Sequence, residues 1–233
     1  MEFRYKNHLA HIYIYAYDNR PEVVAKAYRS EALLVHFSKG VELAKEIGNI
    51  NLVIGAFKKN TMIASTNGMN EIAMLYVVRL CEYLTEAEHV ELAILFLDLD
   101  NFKPYNDTFG HDAGDIVLVG MANIFKEVTE KKGFVYRYGG DEFIIVAHTT
   151  DKETLEKMVH EIYSRIEAAD GFVKELKEKL GRDISIDENK RLTVSIGIAL
   201  RNESDKSIDD TIKRADDLMY TVKTNGKGTY AFI

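Results

Sequence analysis

Acidic side chains stand at the end of the most apolar run in the chain. The run from Leu92 to Asp98 is almost entirely aliphatic or aromatic, which is typical of a strand buried on both faces, and Asp100 follows two residues later. Because successive side chains in a strand alternate sides, Asp98 and Asp100 are predicted to project from the same side of the pleat. Burying a carboxylate without a cation is costly, so the pair indicates either a metal site or a polar strand terminus that enters a loop.

A second acidic pair follows two consecutive glycines. Gly139 and Gly140 permit a tight turn with positive φ, and Asp141 and Glu142 come directly after them. Taken alone, this composition predicts only a hairpin turn. Acids at a strand end and in a neighbouring hairpin can share Mg²⁺, which takes a few carboxylates together with phosphate oxygens. The two constellations together therefore predict phosphoryl transfer assisted by two Mg²⁺ (or Mn²⁺) ions.

Strands and helices alternate through the region that must position these acids. Residues 134–138 and 143–148 are predicted to form an antiparallel hairpin around the two glycines. Helix-connected strands combined with such a hairpin indicate an α/β fold with a mixed sheet. The other predicted strands are residues 92–98, 192–200 and 229–233, and the predicted helices are residues 68–88, 115–128, 152–179 (bent near Gly171) and 208–223.

The segment 1–60 differs from the rest of the chain in charge. It holds 9 Lys and Arg against 6 Asp and Glu, whereas residues 61–233 hold 21 against 31. Its pattern predicts a strand at residues 11–17, a helix at residues 22–47 and a strand at residues 50–57. We expect residues 1–60 to be a small α/β or helical module for input or dimerisation, with a ligand-binding sensor as the alternative, and residues 61–233 to be the main domain.

The composition limits the class of protein. Among 233 residues, 46% are hydrophobic and 13 Tyr and 11 Phe are present, so a disordered chain is excluded. The single cysteine, Cys81, cannot form an internal disulfide, which favours a reducing compartment. No apolar run spans a bilayer and the start has no signal-peptide core, so we expect a cytoplasmic protein without a membrane span. The net charge of −7 argues against a DNA or RNA partner.

Five ordered motifs resemble the GGDEF family of diguanylate cyclases. The first three are residues 98–107 (DLDNFKPYND), 110–115 (GHDAGD) and 137–143 (RYGGDEF). The other two, residues 193–199 (TVSIGIA) and 214–223 (RADDLMYTVK), match the closing strand and helix of that family. The resemblance extends over residues 61–233 and implies a mixed-sheet fold similar to polymerase palms and nucleotidyl cyclases.

The resemblance implies the condensation of two GTP molecules into cyclic di-GMP, with release of two pyrophosphates. By position, Asp98 and Asp141 would hold two Mg²⁺ ions per active site, with the main-chain carbonyl of Leu99 as a further ligand. Asp141 is also the candidate for catalytic deprotonation of the attacking 3′-hydroxyl. Glu142 would either bind metal or hold the turn. A homodimer is required, because each 3′-hydroxyl must attack the other GTP.

The resemblance also implies a set of substrate-binding residues. Asn106 and Asp115 match the positions that read guanine, and a carboxylate at 115 can accept from the N1–H and the exocyclic amine of that base. The alternative for Asp115 is a helix cap, because it is predicted to open a helix. The resemblance assigns Lys103, Lys223 and Lys227 to phosphate contacts, and Phe102 and His111 to pocket shape and loop structure.

Two departures from the family pattern stand out. The usual entry motif, Asp-x-Leu-Thr-Gly-Leu-x-Asn-Arg, is replaced by residues 60–68, which keep little beyond Asn67. The inhibitory Arg-x-x-Asp is replaced by residues 130–133, which begin with Glu130 and end with Gly133, so we expect the product-inhibition site to be missing. The intact metal and guanine positions favour an enzyme. The alternatives are a non-catalytic sensor of GTP or a cyclic dinucleotide, and a cyclase with a different product.

Overall fold

The computed structural model describes residues 31–66, 70–130, 132–181 and 183–233. The chain divides into two compact units, Met1–Glu88 and His89–Ile233. The strand predicted at residues 11–17 and the start of the helix predicted at residues 22–47 lie outside the described residues. Within the described part, no helix is both long and apolar enough to cross a membrane.

The described part of the first unit is helical. It contains α1 (Glu31–Ile47), α2 (Ile50–Thr66) and α3 (Asn70–Glu82), and a π-helical turn, Tyr83–Ala87, continues α3. Helix α2 packs against both α1 and α3. Helix α2 runs through the boundary predicted between residues 60 and 61. The division into compact units lies later in the chain, at Glu88, and the extent of the main domain remains a prediction.

The prediction of a strand at residues 50–57 is wrong. The Asn49 side chain accepts a hydrogen bond of 3.2 Å from the Leu52 N–H, which satisfies one of the free donors at the start of α2. Leu52, Val53, Ala56 and Phe57 are buried at spacings of three and four residues, which is helical periodicity. Packing of this face overrides the strand preference of the β-branched residues.

The second unit is built on a mixed five-stranded sheet, as predicted. Its order is β2-β3-β1-β4-β5, with β1 antiparallel to both neighbours, β2 antiparallel to β3, and β5 parallel to β4. The tight connection between β2 and β3 confirms the predicted hairpin. The strands are β1 (Ala93–Asp100), β2 (Gly133–Gly139), β3 (Glu142–Ala147), β4 (Thr193–Leu200) and β5 (Tyr230–Phe232).

Five α-helices lie between the described strands. They are α4 (Phe102–Phe109), α5 (His111–Thr129), α6 (Lys152–Ala168), α7 (Val173–Leu180) and α8 (Ile208–Thr224), with short 3-10 turns at Asp170–Phe172 and Glu188–Lys190.

The bend predicted near Gly171 is a full break between α6 and α7. Asp170, Gly171 and Phe172 have φ of 43°, 65° and 59°, and three consecutive left-handed residues cannot continue a right-handed helix. The Tyr105 hydroxyl of α4 donates to the carbonyl of Gly171, which connects this turn to the helix that follows β1.

The two faces of β1 serve different purposes. Leu95, Leu97 and Leu99 belong to the main hydrophobic core, which α5 and α6 cover. Asp98 and Asp100 alternate with them and therefore point to the opposite face, where α8 packs against β1 and β4. The common orientation predicted for these two acids is confirmed.

A buried carboxylate attaches the start of α8 to the end of β4. Asp205 accepts hydrogen bonds from Arg214 Nη2 at 2.6 Å, from Arg214 Nε at 3.1 Å and from the Thr211 hydroxyl at 2.9 Å. The same guanidinium donates to the carbonyl of Leu200 at 2.6 Å. Burial raises the pKa of Asp205, but the hydrogen bonds from Arg214, the Asn202 N–H and Thr211 outweigh it and hold the pKa below 3.8.

Candidate active site

Asp98 lies on β1 directly opposite Glu142 on β3 and Ser195 on β4. Its carboxylate is buried, and Lys223 from the last turn of α8 places Nζ 2.5 Å from Oδ1. This contact is an ion pair, and its angles do not meet the geometry of a hydrogen bond, since Oδ1 has no hydrogen-bond partner among the described residues. Burial raises the pKa of Asp98, Lys223 opposes that shift, and nearby Asp141 and Asp100 add to it.

The hairpin turn that carries Asp141 is held by main-chain contacts. The Leu99 N–H donates to the Asp141 carbonyl at 3.1 Å, which joins the turn to the end of β1. Arg137 donates from Nε at 2.9 Å and from Nη2 at 2.7 Å to the carbonyl of Gly140. Gly140 has a φ of 48°, a conformation that glycine adopts without strain. The turn is therefore fixed independently of the Asp141 carboxylate.

The predicted metal ligands converge on one edge of the sheet. Burial, and then the charges of Asp98, Asp141 and Asp216, raise the pKa of Glu142, which shows that negative charge is concentrated here. In the described part of the chain, no three acidic, His or Cys side chains already form a complete metal site. A buried carboxylate beside further carboxylates nevertheless suits a hard divalent cation, which would take the place of the Lys223 ammonium at Asp98. The Leu99 side chain lies in the core, so only its main chain can serve as a ligand.

Asp100 has a structural role that the sequence analysis missed. Its carboxylate accepts hydrogen bonds from the hydroxyls of Thr193 at 2.9 Å and Ser195 at 3.0 Å, and from the Gly228 N–H at 3.0 Å. It thereby anchors the loop that carries Lys227. The two acids of β1 therefore differ: Asp98 faces Lys223, whereas Asp100 is saturated by donors. One sequence signal could have indicated this role: Thr193 and Ser195 are also two residues apart on a predicted strand, so both hydroxyls lie on one side of it.

The predicted phosphate-binding lysines occupy three separate elements. Lys223 contacts Asp98, as described above. Lys227 is exposed in the loop between α8 and β5, with a φ of 63°, and its N–H donates to the Val222 carbonyl at 3.1 Å. Lys103 is exposed in the first turn of α4. The structure thus brings Lys223 into the acidic cluster and leaves Lys103 and Lys227 exposed.

The residues predicted to recognise guanine lie on α4 and α5. Phe102 is buried at the start of α4, and His111 is exposed at the start of α5. The amide of Asn106 lies against Gly114, which precedes Asp115. Asp115 is exposed and lines a cavity of about 750 Å³ between α5 and α7, of which Asn106 is not a lining residue.

The cap interpretation of Asp115 is wrong. Helix α5 begins at His111 rather than at Asp115, and Gly110 occupies its N-cap position. Asp115 therefore sits a full turn inside the helix, where no free main-chain donor needs a side-chain acceptor. Its exposed carboxylate is available to a ligand.

The segment at the predicted inhibitory site leaves no room for a side chain at position 133. A Cβ atom on Gly133 would lie 2.0 Å from the carbonyl oxygen of Val146 and 3.0 Å from Cα of Ala147 on the adjacent β3. These are main-chain atoms of a paired strand, so they cannot move aside without disturbing the sheet. Close pairing of the strands therefore requires the glycine found here.

Comparisons with known proteins agree with this architecture. Residues 76–229 match the family described as "Diguanylate cyclase, GGDEF domain". Diguanylate cyclase A of Treponema denticola is 36% identical over 137 residues, which cover 58% of this chain and 33% of that protein. The chain therefore spans about a third of the length of this curated relative.

Solved structures share the fold. The GGDEF domain of PA1120 (YfiN or TpbB) from Pseudomonas aeruginosa superposes with a TM-score of 0.57 at 28% identity, over 68% of this chain and 87% of that chain. Diguanylate cyclase SiaD from Pseudomonas aeruginosa, solved with its activator SiaC, has a TM-score of 0.58 at 19% identity over 94% of this chain and 85% of that chain, which shows a common fold. The family match covers most of the chain, and it includes the strand end, the hairpin and the helix that form the acidic cluster. This chain belongs to the GGDEF family of diguanylate cyclases.

Proposed function

We propose that this protein condenses two GTP molecules into cyclic di-GMP and two pyrophosphates. The observation that carries the proposal is the convergence of Asp98, Asp141 and Glu142 at one edge of the sheet, beside Lys223. Burial, and then the charges of Asp98 and Asp141, raise the pKa of Glu142. Repulsion among acids opposes folding, so their presence together suits charge-dependent chemistry. Membership of the family supplies the reaction, and its Treponema relative is named as a diguanylate cyclase.

Each residue has a role in the proposed reaction. Asp98, Asp141, Glu142 and the Leu99 carbonyl would hold two Mg²⁺ or Mn²⁺ ions, which neutralise phosphate charge and make a 3′-hydroxyl more acidic. Asp141 accepts the proton of the 3′-hydroxyl whose oxygen attacks the α-phosphorus of the other GTP. The bond between that phosphorus and the bridging oxygen breaks, and pyrophosphate leaves. Each of the two condensations forms one phosphodiester bond. Three lysines contact the phosphates: Lys103, Lys223 and Lys227.

A homodimer follows from the same proposal. One chain contributes one acidic cluster from β1 and the hairpin, and each cluster would serve one GTP. Closing the ring takes two attacks in opposite directions, so two clusters must face each other with their nucleotides between them. A single chain would bind GTP without forming the cyclic product.

The proposal is tested by incubating the purified protein with each nucleoside triphosphate and Mg²⁺, and identifying the products by mass spectrometry. We expect cyclic di-GMP and pyrophosphate from GTP alone. Binding of GTP without any product would identify a non-catalytic sensor. Formation of a different cyclic nucleotide would show that the protein is an enzyme but that the proposed substrate is wrong.

Base selection at Asp115 gives a further prediction. Changing Asp115 to Ser should lower the preference for GTP over ATP by at least about tenfold, because each charge-assisted hydrogen bond contributes roughly 1.5–3 kcal/mol. Serine both donates and accepts, so it can tolerate adenine where a carboxylate cannot. The measurement is a competition between equal GTP and ATP, scored by the product mixture. An unchanged guanine preference would show that the base is read elsewhere. Asp209→Ser, at an exposed position in the first turn of α8 and outside the cavity that Asp115 lines, is the matched control.

Added cyclic di-GMP should inhibit only weakly. Glu130 and Gly133 replace the arginine and aspartate expected to bind the product. Without these two charged partners, cyclic di-GMP should bind there at least about tenfold more weakly than to a site that has both. The measurement is the initial rate at several GTP and cyclic di-GMP concentrations. Residual inhibition should be competitive with GTP. Strong non-competitive inhibition would contradict the prediction and indicate another regulatory site.

A further inference from the structure

Gly114 of α5 makes room for Asn106 of α4. A Cβ atom at position 114 would lie 1.9 Å from Asn106 Oδ1, 2.8 Å from its Cγ and 3.2 Å from its Nδ2. Non-bonded atoms do not approach so closely, so no residue larger than glycine fits while Asn106 keeps its place. The amide of Asn106 thus occupies the notch that the missing side chain leaves.

Fold stability does not account for this arrangement. Asn106 Oδ1 is buried and has no hydrogen-bond partner in the described part of the chain. A buried acceptor without a partner opposes folding, and such atoms are rare outside sites with another function. The arrangement instead fixes where the amide lies, next to the helix turn that carries Asp115.

Gly114 differs from Gly133 and Gly197 in what obstructs it. A Cβ atom on Gly197 would lie 1.9 Å from the Ala215 carbonyl oxygen and 2.4 Å from the Met219 nitrogen, which are main-chain atoms of α8. At Gly114 the obstruction is the end of one flexible side chain, which can rotate away. Alanine at position 114 would therefore displace the amide of Asn106 while the helix, for which alanine is the better former, persists.

We propose that Gly114 is a positioning residue for base recognition, because it seats Asn106 Oδ1 in the notch and thereby orients Nδ2, the other end of the amide, to donate to guanine. This inference rests on the proposed function, in which GTP is the substrate. The contribution of Gly114 is indirect: it touches Asn106, and Asn106 touches the base.

The test is a double-mutant cycle of nucleotide binding. Calorimetry with 3′-deoxy-GTP and Mg²⁺ measures affinity without turnover, because this analogue lacks the attacking hydroxyl. We expect Gly114→Ala and Asn106→Ala each to raise Kd about fivefold, the loss typical of one hydrogen bond. The double variant should match Asn106→Ala alone, since the collision disappears with the amide. Thermal unfolding of Gly114→Ala should occur at or above the parental temperature.

Other results would overturn the inference in distinct ways. An unchanged Kd in Gly114→Ala, or a double variant whose Kd is the product of the two single effects, would show that Gly114 acts independently of Asn106. If Gly114→Ala fails to fold, it must still fold in the Asn106→Ala background, and failure there would show that the backbone requires the glycine. Lys126→Ala, at an exposed position further along the same helix and outside the cavity that Asp115 lines, is the control and should leave Kd unchanged. A rise in the Kd of the control variant equal to that of Gly114→Ala would also overturn the inference. A parent chain that binds no nucleotide contradicts the proposed function itself.

Discussion

Replacing Asp141 with asparagine is expected to lower the rate of cyclic di-GMP formation by on the order of 10³-fold, as loss of a proton acceptor and charged ligand does. The substitution removes the negative charge with almost no change in volume. The hairpin should keep its conformation, because the Leu99 N–H binds the main-chain carbonyl of Asp141 and Arg137 binds that of Gly140. The measurement combines the initial rate of product formation with the circular dichroism spectrum and the melting temperature.

The matched control for this experiment is Asp183→Asn. Asp183 is an exposed carboxylate that pairs with Lys177 at 3.0 Å, and its neutralisation changes the net charge of the protein equally. We expect its rate to stay within twofold of the parent, about the scatter of a surface substitution. Normal turnover by a folded Asp141→Asn protein would refute the role assigned to this acid.

Replacing Asp205 with alanine is expected to lower the free energy of unfolding by about 3 kcal/mol, the cost of leaving a buried charge without its partner. The Asp205 side chain is only 3% exposed. Its loss removes the acceptor of the Thr211 hydroxyl and the negative charge opposite the Arg214 guanidinium, which keeps only the Leu200 carbonyl. A loss of this size corresponds to a fall in melting temperature of roughly 6–12 °C for a chain of this length. Urea titration followed by circular dichroism measures the change.

The same substitution predicts a pH dependence. The pKa of Asp205 is lower in the folded protein than its ordinary value of 3.8, so its stabilisation is fully present above that value and is lost as the pH falls through the folded pKa. The difference in unfolding free energy between parent and Asp205→Ala should therefore narrow below about pH 3.8. Asp209→Ala, at an exposed neighbouring position, should differ little from the parent at any pH. A difference in unfolding free energy between parent and Asp205→Ala that stays constant with pH would show that Asp205 does not stabilise the fold through its charge.

Most of the fold of the second unit could be predicted because its strands carry clear patterns. The apolar run that ends in Asp98 is not interrupted by a polar residue or a glycine, which is typical of a strand buried on both faces, and the glycine pair favours a hairpin after β2. The run from Ile50 to Phe57 could not be assigned in the same way, because a short apolar run suits a strand and a buried helix equally. Only its packing against α1 and α3 decides in favour of the helix.

The site could be predicted in part. The motifs identify Asp98, Asp141 and Glu142, and the register between β1 and β3 explains why residues separated by more than forty positions meet. Contacts between distant positions leave no local pattern. The ion pair of Lys223 with Asp98 and the notch at Gly114 depend on how helices pack, which neither composition nor periodicity specifies.

Gly133 restricts how this protein could evolve. An aspartate there would bring its Cβ within 2.0 Å of the Val146 carbonyl oxygen. The substitution would therefore destabilise the sheet, and alone it would not yet create a binding site. An arginine at position 130 alone would form only half of a binding site. Under the proposed function, a descendant of this sequence that acquired inhibition by cyclic di-GMP at this site would therefore have to pass through less stable variants, or first rebuild the β2–β3 pairing. Regulation of the proposed activity would be gained more readily at exposed positions, where single substitutions are tolerated.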